Sequence, residues 1–258
     1  MVVIVLCDED EGHDVERREN SGTRTAIVTG CSRGIGAAIG SRLRHAGYEV
    51  VEIQRTSAHV SADLGQWRSA PDAWARAMAL APRGVDLLVL NAGASRDGAF
   101  VMVEPDDLTR CFDLNVFGAL LLAREALRYW TAARRSGHVV MIGSQAALPG
   151  TRDADVLYTA SKGAIHATVG PLAREYGPLV RVNCIAPGDV ATETERALVA
   201  RGRRVEVDAE AAWHEVAARS ALGRWVRADE IADAVLFLER CAAMTGAIIN
   251  VSGGTSIY

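Results

Sequence analysis

Short runs of apolar, β-branched residues recur along the chain and alternate with longer segments in which apolar residues repeat every three or four positions. Such runs are typical of buried strands, and the periodic segments of helices packed on a sheet. The predicted strands cover residues 25–29, 49–53, 59–64, 85–90, 139–143, 180–186 and 248–251, and the predicted helices cover 37–46, 67–80, 108–135, 158–176 and 228–238. This alternation predicts an α/β fold, a doubly wound, Rossmann-type parallel sheet of about seven strands in a single domain.

Three segments depart from this alternation. The connection 56–61 is too short for a crossover helix, so we expect a bare loop or one helical turn between the second and third strands. Residues 189–222 are polar and irregular, which favours a substrate lid within the domain 24–258. Residues 1–23 precede the first strand, and we interpret them as an N-terminal appendage that is either flexible or docked as an extra strand.

Composition narrows the class of protein. A chain of 258 residues that is 49% hydrophobic can bury a large core, and its net charge of -4 argues against a nucleic-acid surface. The apolar run 2–6 is too short for a signal peptide or a membrane helix. The five cysteines are scattered without a C-x-x-C pair, and the six histidines form no ligand-spaced group. We therefore expect a cytoplasmic protein with no metal and no membrane partner.

A glycine-rich turn joins the first predicted strand to the first helix. Gly30, Gly34 and Gly36 are spaced G-x-x-x-G-x-G between residues 25–29 and the helical pattern. Glycine lets the backbone bend sharply, and it lets a diphosphate approach the helix N-terminus, where free N–H groups favour anions. The turn therefore predicts a nucleotide-binding site.

The end of the second strand bears on which nucleotide binds. An acidic residue there would accept hydrogen bonds from the adenosine ribose and repel a 2′-phosphate, but the chain has Gln54 and Arg55. With Arg33 in the glycine-rich turn, two guanidinium groups lie near one ribose, which favours NADP(H) over NAD(H). The alternative is that Arg33 and Arg55 are solvated surface residues.

A possible reaction centre lies around residue 158. Tyr158 and Lys162 are one turn apart on a predicted helix, roughly 6 Å along the same face. Ser144 ends the preceding apolar strand, so its hydroxyl could meet the phenol and the amine at one carbonyl-sized point. A Tyr-x-x-x-Lys pair also occurs by chance on ordinary helices. Asn115 lies within a predicted helix although asparagine is a mediocre helix former. It is either an ordinary polar residue with its hydrogen bonds satisfied or a residue that clamps a functional water or the backbone.

The order of these motifs resembles the short-chain dehydrogenase/reductase family in its single-domain form, from about residue 25 to residue 254. The motifs are the glycine-rich turn, Asp63, Asn91-Ala92-Gly93, Asn115, Ser144, Tyr158-x-x-x-Lys162 and Pro187-Gly188-x-Val190-x-Thr192. The segments 95–98 and 222–224 look closest to 3-oxoacyl-carrier-protein reductases.

The resemblance implies a role for each matched residue. Tyr158 would be the general acid/base, Lys162 would lower its pKa and bind the nicotinamide ribose, and Ser144 would align the substrate oxygen. Asn115 would hold a water that links Lys162 to solvent. The residues expected to hold the cofactor, besides Tyr158 and Lys162, are Gly30, Ser32, Arg33, Gly34, Ile35, Gly36, Arg55, Asp63, Leu64, Asn91, Ala92, Gly93, Pro187, Gly188, Val190 and Thr192.

The expected function is therefore hydride transfer between NADP(H) and a small-molecule carbonyl or secondary alcohol, with reduction of a ketone or β-keto group favoured. One alternative is an NAD-dependent alcohol dehydrogenase that works in the oxidative direction. Another is a non-catalytic nucleotide sensor on the same fold. The helices 108–135 and 158–176 resemble the family's subunit-pairing helices, which implies a homodimer or homotetramer.

Overall fold

The structure is a computed structural model that describes residues 23–56, 58–95, 99–149, 155–201 and 208–256. Within these ranges seven parallel strands form one sheet in the order β3-β2-β1-β4-β5-β6-β7. The strands are β1 Arg24–Thr29, β2 Tyr48–Gln54, β3 Val60–Ser61, β4 Leu87–Leu90, β5 Gly137–Ile142, β6 Val180–Pro187 and β7 Ile248–Val251. The predicted fold class is confirmed. The predicted appendage 1–23 lies outside the described residues except for its last position.

Helices cover both faces of the sheet. They are α1 Gly34–His45, α2 Ala70–Ala79, α3 Pro105–Phe112, α4 Ala119–Ala133, α5 Val156–Tyr176, α6 Glu193–Arg201, α7 Ala209–Ala218 and α8 Ala228–Arg240. The core has one layer with α1 and α8 and another with α2, α4 and α5. Within β1, Val28 packs in the first layer and Ile27 in the second, because successive side chains of a strand point to opposite faces.

Membrane-spanning character can be judged from the helices in the described part of the chain. None of them combines the length and the apolar character needed to cross a bilayer.

Three elements differ from their predicted form. The predicted third strand, 59–64, is reduced to Val60–Ser61, and the described residues of the connection before it contain bends and no helix. The predicted helix 67–80 begins as a 3₁₀ turn, Trp67–Ser69, and becomes α-helical at residue 70. The predicted helix 108–135 is two α-helices, α3 and α4, joined by the π-helix Asp113–Gly118. A wider helical turn therefore carries Asn115.

The predicted irregular segment 189–222 contains two helices in its described part. α6 and α7 contact each other, and residues 202–207 between them lie outside the described residues. The Trp213 ring on α7 stacks on Trp225 with ring centroids 3.7 Å apart, and Trp225 Nε1 donates to the Trp213 carbonyl. This stack ties α7 to the chain just before α8. That the segment acts as a lid stays a prediction.

A buried polar network lies at the amino-terminal edge of the sheet. The Glu239 carboxylate on α8 accepts hydrogen bonds from the Tyr48 hydroxyl and from His138 Nδ1, the latter at 2.5 Å, and pairs with Arg181 at 3.4 Å. Asn183 Nδ2 donates to the other ring nitrogen of His138 at 3.0 Å, which leaves Nδ1 to carry the proton. Burial opposes ionisation of Glu239, but these partners prevail and lower its pKa. The network connects α8 to strands β2, β5 and β6.

Candidate active site

A cleft of about 700 Å³ runs along the carboxyl-terminal edge of the sheet. It crosses the point where β1 and β4 lie side by side although they are not consecutive, which is where open α/β sheets bind ligands. The structure brings to this cleft every predicted cofactor residue together with Ser144, Tyr158 and Lys162. Asn115 lies just behind the wall and is 2% exposed. The predicted residues therefore share one site.

The glycine-rich turn is held against the end of β4. Asn91 Nδ2 donates to the carbonyls of Thr29 and Gly30 at 2.9 and 3.1 Å, and the Thr29 hydroxyl accepts the backbone N–H groups of Asn91 and Ala92. A Cβ on Gly36 would overlap the Gly30 carbonyl oxygen and lie 2.8 Å from its carbonyl carbon. Only glycine lets α1 begin this close to the turn, and the first residues of α1 line the cleft.

The end of the cleft at which the sequence predicts the adenosine is lined by the end of β2 and the segment after β3. Arg55 lies one residue beyond β2, and Arg33 lies immediately before α1, and both are exposed. Asp63 Oδ1 accepts the Gly65 N–H at 3.0 Å, so this carboxylate shapes its own turn beside the cleft. At the other end, Thr192 Oγ1 accepts the Glu195 N–H at the start of α6, and a Cβ on Gly34 would lie 3.2 Å from the Thr192 methyl.

Tyr158 and Lys162 project from the first turns of α5 toward the end of β5. Asp155 caps the helix, with Oδ1 accepting the Tyr158 N–H at 2.6 Å. The Tyr158 side chain is hydrogen-bonded to the Ser144 side chain. Lys162 Nζ donates to the Ile142 carbonyl at 2.8 Å and lies 5.7 Å from the Tyr158 ring centroid. A phenol and a hydroxyl therefore meet at one point, with an ammonium beside them.

Burial sets the proton affinities at this point. It raises the pKa of Tyr158 to about 12, although the hydrogen bond with Ser144 opposes the rise. It lowers the pKa of Lys162 to about 8. The lowering of the Tyr158 pKa by Lys162, which was expected from the sequence, is not seen in the protein alone: burial has the largest effect on this pKa, and the hydrogen bond with Ser144 is what acts in the opposite direction. At neutral pH the phenol is therefore protonated and the amine is charged.

Asn115 clamps the backbone that follows β4. Its Oδ1 accepts the Ala94 N–H at 2.9 Å, and its Nδ2 donates to the Ala94 carbonyl at 2.9 Å and to Ser161 Oγ at 3.0 Å. This matches the clamp alternative of the sequence analysis, with backbone as the partner. The π-helix aims Asn115 at this strand end, in line with the frequent use of π-helical turns at functional sites.

Gly93 leaves an open cradle beside the charged amine. A Cβ at this position would lie 3.2 Å from Asn115 Oδ1 and 3.3 Å from Lys162 Nζ. The missing side chain keeps free the space that a ribose with two hydroxyl groups needs next to Lys162. Together with the glycine-rich turn and its helix N-terminus, the cradle fits a dinucleotide.

Sequence reasoning missed three residues at this site. Thr29 anchors Asn91, Glu195 lines the cleft and raises the pKa of Tyr158, and His166 accepts the Ser144 N–H. Thr29 directly precedes the first glycine, and that position is a signal that could have identified it. The sequence around Glu195 and His166 carries no comparable signal.

Comparison with known proteins places this geometry in context. Residues 24–203 match the family described as short chain dehydrogenase. The chain is 32% identical over 252 residues to 3-oxoacyl-(acyl-carrier-protein) reductase of Aggregatibacter actinomycetemcomitans, covering 90% of this chain and 99% of the relative. It is 35% identical over 254 residues to galactitol 2-dehydrogenase (L-tagatose-forming) of Cereibacter sphaeroides, covering 90% and 95%.

Solved structures give the same picture. A variant of actinorhodin polyketide ketoreductase with NADPH superposes with a TM-score of 0.83 at 26% identity, covering 92% of this chain and 98% of that one. The shared features thus extend over nearly the whole chain.

Proposed function

The chain belongs to the short-chain dehydrogenase/reductase family of oxidoreductases, and from that premise we propose that it reduces a ketone or β-keto group with NADPH. The observation that carries this proposal is the meeting of Tyr158, Ser144 and Lys162 beside a cleft that fits a dinucleotide. The two similar reductases add support, since one is named for 3-oxoacyl reduction and the other was solved with NADPH.

The catalytic roles follow from the geometry at the end of β5. A carbonyl oxygen placed against Tyr158 and Ser144 accepts hydrogen bonds from both hydroxyls, which align it and stabilise the negative charge that develops on it. The cofactor, when bound, supplies the hydride to the carbonyl carbon. Tyr158 gives its proton to the oxygen, a role suited to a phenol that burial keeps protonated. The Lys162 ammonium stabilises the resulting phenolate and holds ribose hydroxyls over Gly93.

The proton donor is tested by removing only its hydroxyl. We expect Tyr158→Phe to lower kcat at least about 100-fold, the range of general acid catalysis, while NADPH still binds. Tyr129→Phe is the matched control, because Tyr129 lies on α4 away from the cleft. Turnover of Tyr158→Phe at the wild-type rate would remove Tyr158 from the mechanism.

The preference for NADP(H) rests on Arg33 and Arg55. Both line the adenosine end of the cleft, and Gln54 stands where an acidic residue would repel the 2′-phosphate. A charge-assisted bond to phosphate contributes roughly 1.5–3 kcal/mol. Arg33→Ala and Arg55→Ala should each weaken NADPH binding at least about tenfold and NADH binding far less.

The control for these charge changes is Arg42→Ala. Arg42 lies on α1 outside the cleft lining and pairs with Asp233 on α8 at 3.2 Å, so its loss should leave both affinities unchanged. A strong preference of the wild type for NADH would contradict the assigned roles of Arg33 and Arg55. Screening ketones and β-keto thioesters for NADPH oxidation then identifies the substrate class.

Oxidation of a secondary alcohol is the second candidate function. It is favoured by the 35% identity to a protein named galactitol 2-dehydrogenase, and it would use the same residues in reverse. The two candidates differ in their preferred cofactor and direction. Faster turnover of a polyol with NAD⁺ than of any ketone with NADPH would favour the second.

We also propose that the protein is a homodimer or homotetramer in a reducing compartment such as the cytoplasm. An apolar groove of about 340 Å³ lies between α4 and α5, lined by Leu120, Ala123, Arg124, Leu127, Ala167, Thr168, Pro171, Leu172 and Tyr176. The four cysteines in the described ranges are free thiols. Light scattering should give twice or four times the chain mass, and Leu172→Glu should reduce it. A wild-type monomer at micromolar concentration would contradict the assembly.

A further inference from the structure

His166 is a buried histidine that the proposed chemistry does not use. It lies on α5 one turn beyond Lys162 and is 9% exposed. Its Nε2 accepts the backbone N–H of Ser144 at 3.4 Å. The imidazole thus bonds to the main chain of the residue whose hydroxyl meets Tyr158.

The contact belongs to a series along one face of α5. Tyr158, Lys162 and His166 are spaced four residues apart, and each bonds to the end of β5. Tyr158 bonds to the Ser144 side chain, Lys162 to the Ile142 carbonyl, and His166 to the Ser144 N–H. His166 therefore fixes the Ser144 main chain at the same strand end from which its hydroxyl is presented.

The space around Gly143 keeps the imidazole in place. A Cβ on Gly143 would overlap His166 Nε2 and lie 2.7 Å from Cys184 Sγ on β6. Both side chains thus lie directly against the Gly143 backbone. The ring has little room to turn, so its nitrogen stays aimed at the adjacent N–H.

The protonation state of His166 suits this contact. A backbone N–H needs an unprotonated ring nitrogen, which places the proton on Nδ1. Burial, with a further contribution from the Lys162 ammonium, lowers the pKa of His166 to about 4. The group facing it from β6 is the Cys184 thiol, whose pKa burial raises to about 12, so it is uncharged. The imidazole is a neutral acceptor over the whole range in which the enzyme would work.

We propose that His166 is a positioning residue for the reaction, holding the Ser144 backbone so that the Ser144 hydroxyl points at the substrate oxygen beside Tyr158. The proposal rests on the proposed function, since it assigns Ser144 its role there. Because the rate depends on the placement of the reacting groups, a displaced Ser144 hydroxyl would lower the rate, whereas the residues expected to hold the cofactor would stay in place.

Two substitutions separate hydrogen bonding from packing. Gln at position 166 presents an amide oxygen at about the place of Nε2, whereas Leu has similar bulk and no acceptor. We expect His166→Leu to lower kcat about tenfold, the equivalent of one hydrogen bond, with NADPH affinity within about twofold of wild type. His166→Gln should recover kcat to within about threefold of wild type.

Val169→Ala is the control for lost packing of α5. It should lower the melting temperature and leave kcat unchanged, because Val169 is fully buried in the core layer of α2, α4 and α5 and does not line the cleft. Wild-type kcat in a folded His166→Leu variant would overturn the proposal. So would equal losses in the Leu and Gln variants, since packing alone would then account for them.

A spectroscopic measurement tests the contact without turnover. In ¹⁵N-histidine NMR of the wild type, the His166 signals are identified as those that are missing from the spectrum of His166→Gln. Between pH 6 and pH 8 the Nε2 signal should have the chemical shift of an unprotonated ring nitrogen. A protonated Nε2 would overturn the proposal even if the enzyme is active. If the wild type reduces no carbonyl compound, the proposed function fails, but an unprotonated Nε2 would still support the hydrogen bond to Ser144.

Discussion

Replacing Gly36 with alanine would separate the first helix from the turn that precedes it. The added Cβ would overlap the Gly30 carbonyl oxygen and Asn91 Nδ2 and lie 2.8 Å from the Gly30 carbonyl carbon. All three atoms are fixed, because Asn91 bonds to the carbonyls of Thr29 and Gly30. Since real Cβ contacts are longer than 3.0 Å, the helix start must move away from the turn.

The size of the effect follows from these contacts. Overpacking a close contact costs about 1–3 kcal/mol, and weakening the two Asn91 bonds adds about 1 kcal/mol each. A loss of roughly 3–5 kcal/mol corresponds to a melting temperature lower by about 6–20 °C in a domain of this size. The displaced helix N–H groups would also weaken NADPH binding at least about tenfold.

Gly163→Ala provides the matched control within a helix. Apart from its chain neighbours and the backbone of its own helical turns, no described atom lies within 4 Å of a Cβ at Gly163, and alanine is favoured over glycine in helices by up to about 1 kcal/mol. Differential scanning calorimetry should show a lower melting temperature, and NADPH fluorescence titration a weaker affinity, for Gly36→Ala. Neither quantity should decrease for Gly163→Ala. A Gly36→Ala protein with wild-type melting temperature and NADPH affinity would refute the close approach of helix and turn.

Three further predictions concern the clamp, the buried amine and the network at the opposite edge. Asn115→Ala removes hydrogen bonds to both backbone groups of Ala94 and to Ser161, so it should reduce stability by about 3 kcal/mol in thermal melts; an unchanged melting temperature would show that the clamp contributes nothing. Lys162 has a folded-state pKa of about 8 against an ordinary 10.5, so between these pH values the unfolded chain binds the extra proton. The free energy of unfolding of the wild type should therefore increase by on the order of 3 kcal/mol relative to that of Lys162→Met as pH rises from 8 to 10.5. A difference in melting temperature that stays constant over this pH range would contradict the prediction. Glu239→Ala leaves the buried His138 and Arg181 without their carboxylate and should cost about 3–5 kcal/mol, while cofactor affinity, measured by titration, stays unchanged.

The sheet could be predicted from the sequence because its strands are buried on both faces. Runs such as Leu87–Leu90 are continuous and apolar, and helices separate them, so the alternation is visible without tertiary information. The glycine-rich turn was equally accessible, since Gly30 and Gly34 have positive φ angles of 71° and 56°, which glycine adopts readily. These features are local in the sequence.

The missed features depend on contacts between distant segments. α7 begins after Asp208, whose side chain accepts the Glu210 N–H, but its position depends on the stack between Trp213 and Trp225. His166 resembles any helical histidine until β5 supplies the Ser144 N–H. Burial raised the pKa of Tyr158, and burial is a property of the whole fold rather than of neighbouring residues.

The π-helix Asp113–Gly118 also limits how the chain can be shortened or lengthened. A π-helical turn contains roughly one residue more than an α-helical turn. Deleting one residue here would restore a continuous α-helix and leave α3 and α4 in nearly their present orientation, because the residue removed is the extra one of the wider turn. The remaining residues of the turn would shift by one position, so the Asn115 amide would leave Ala94, although the side of α4 that contains Leu122 and Ala126 would still face the sheet. This segment should therefore tolerate substitutions better than a change in length.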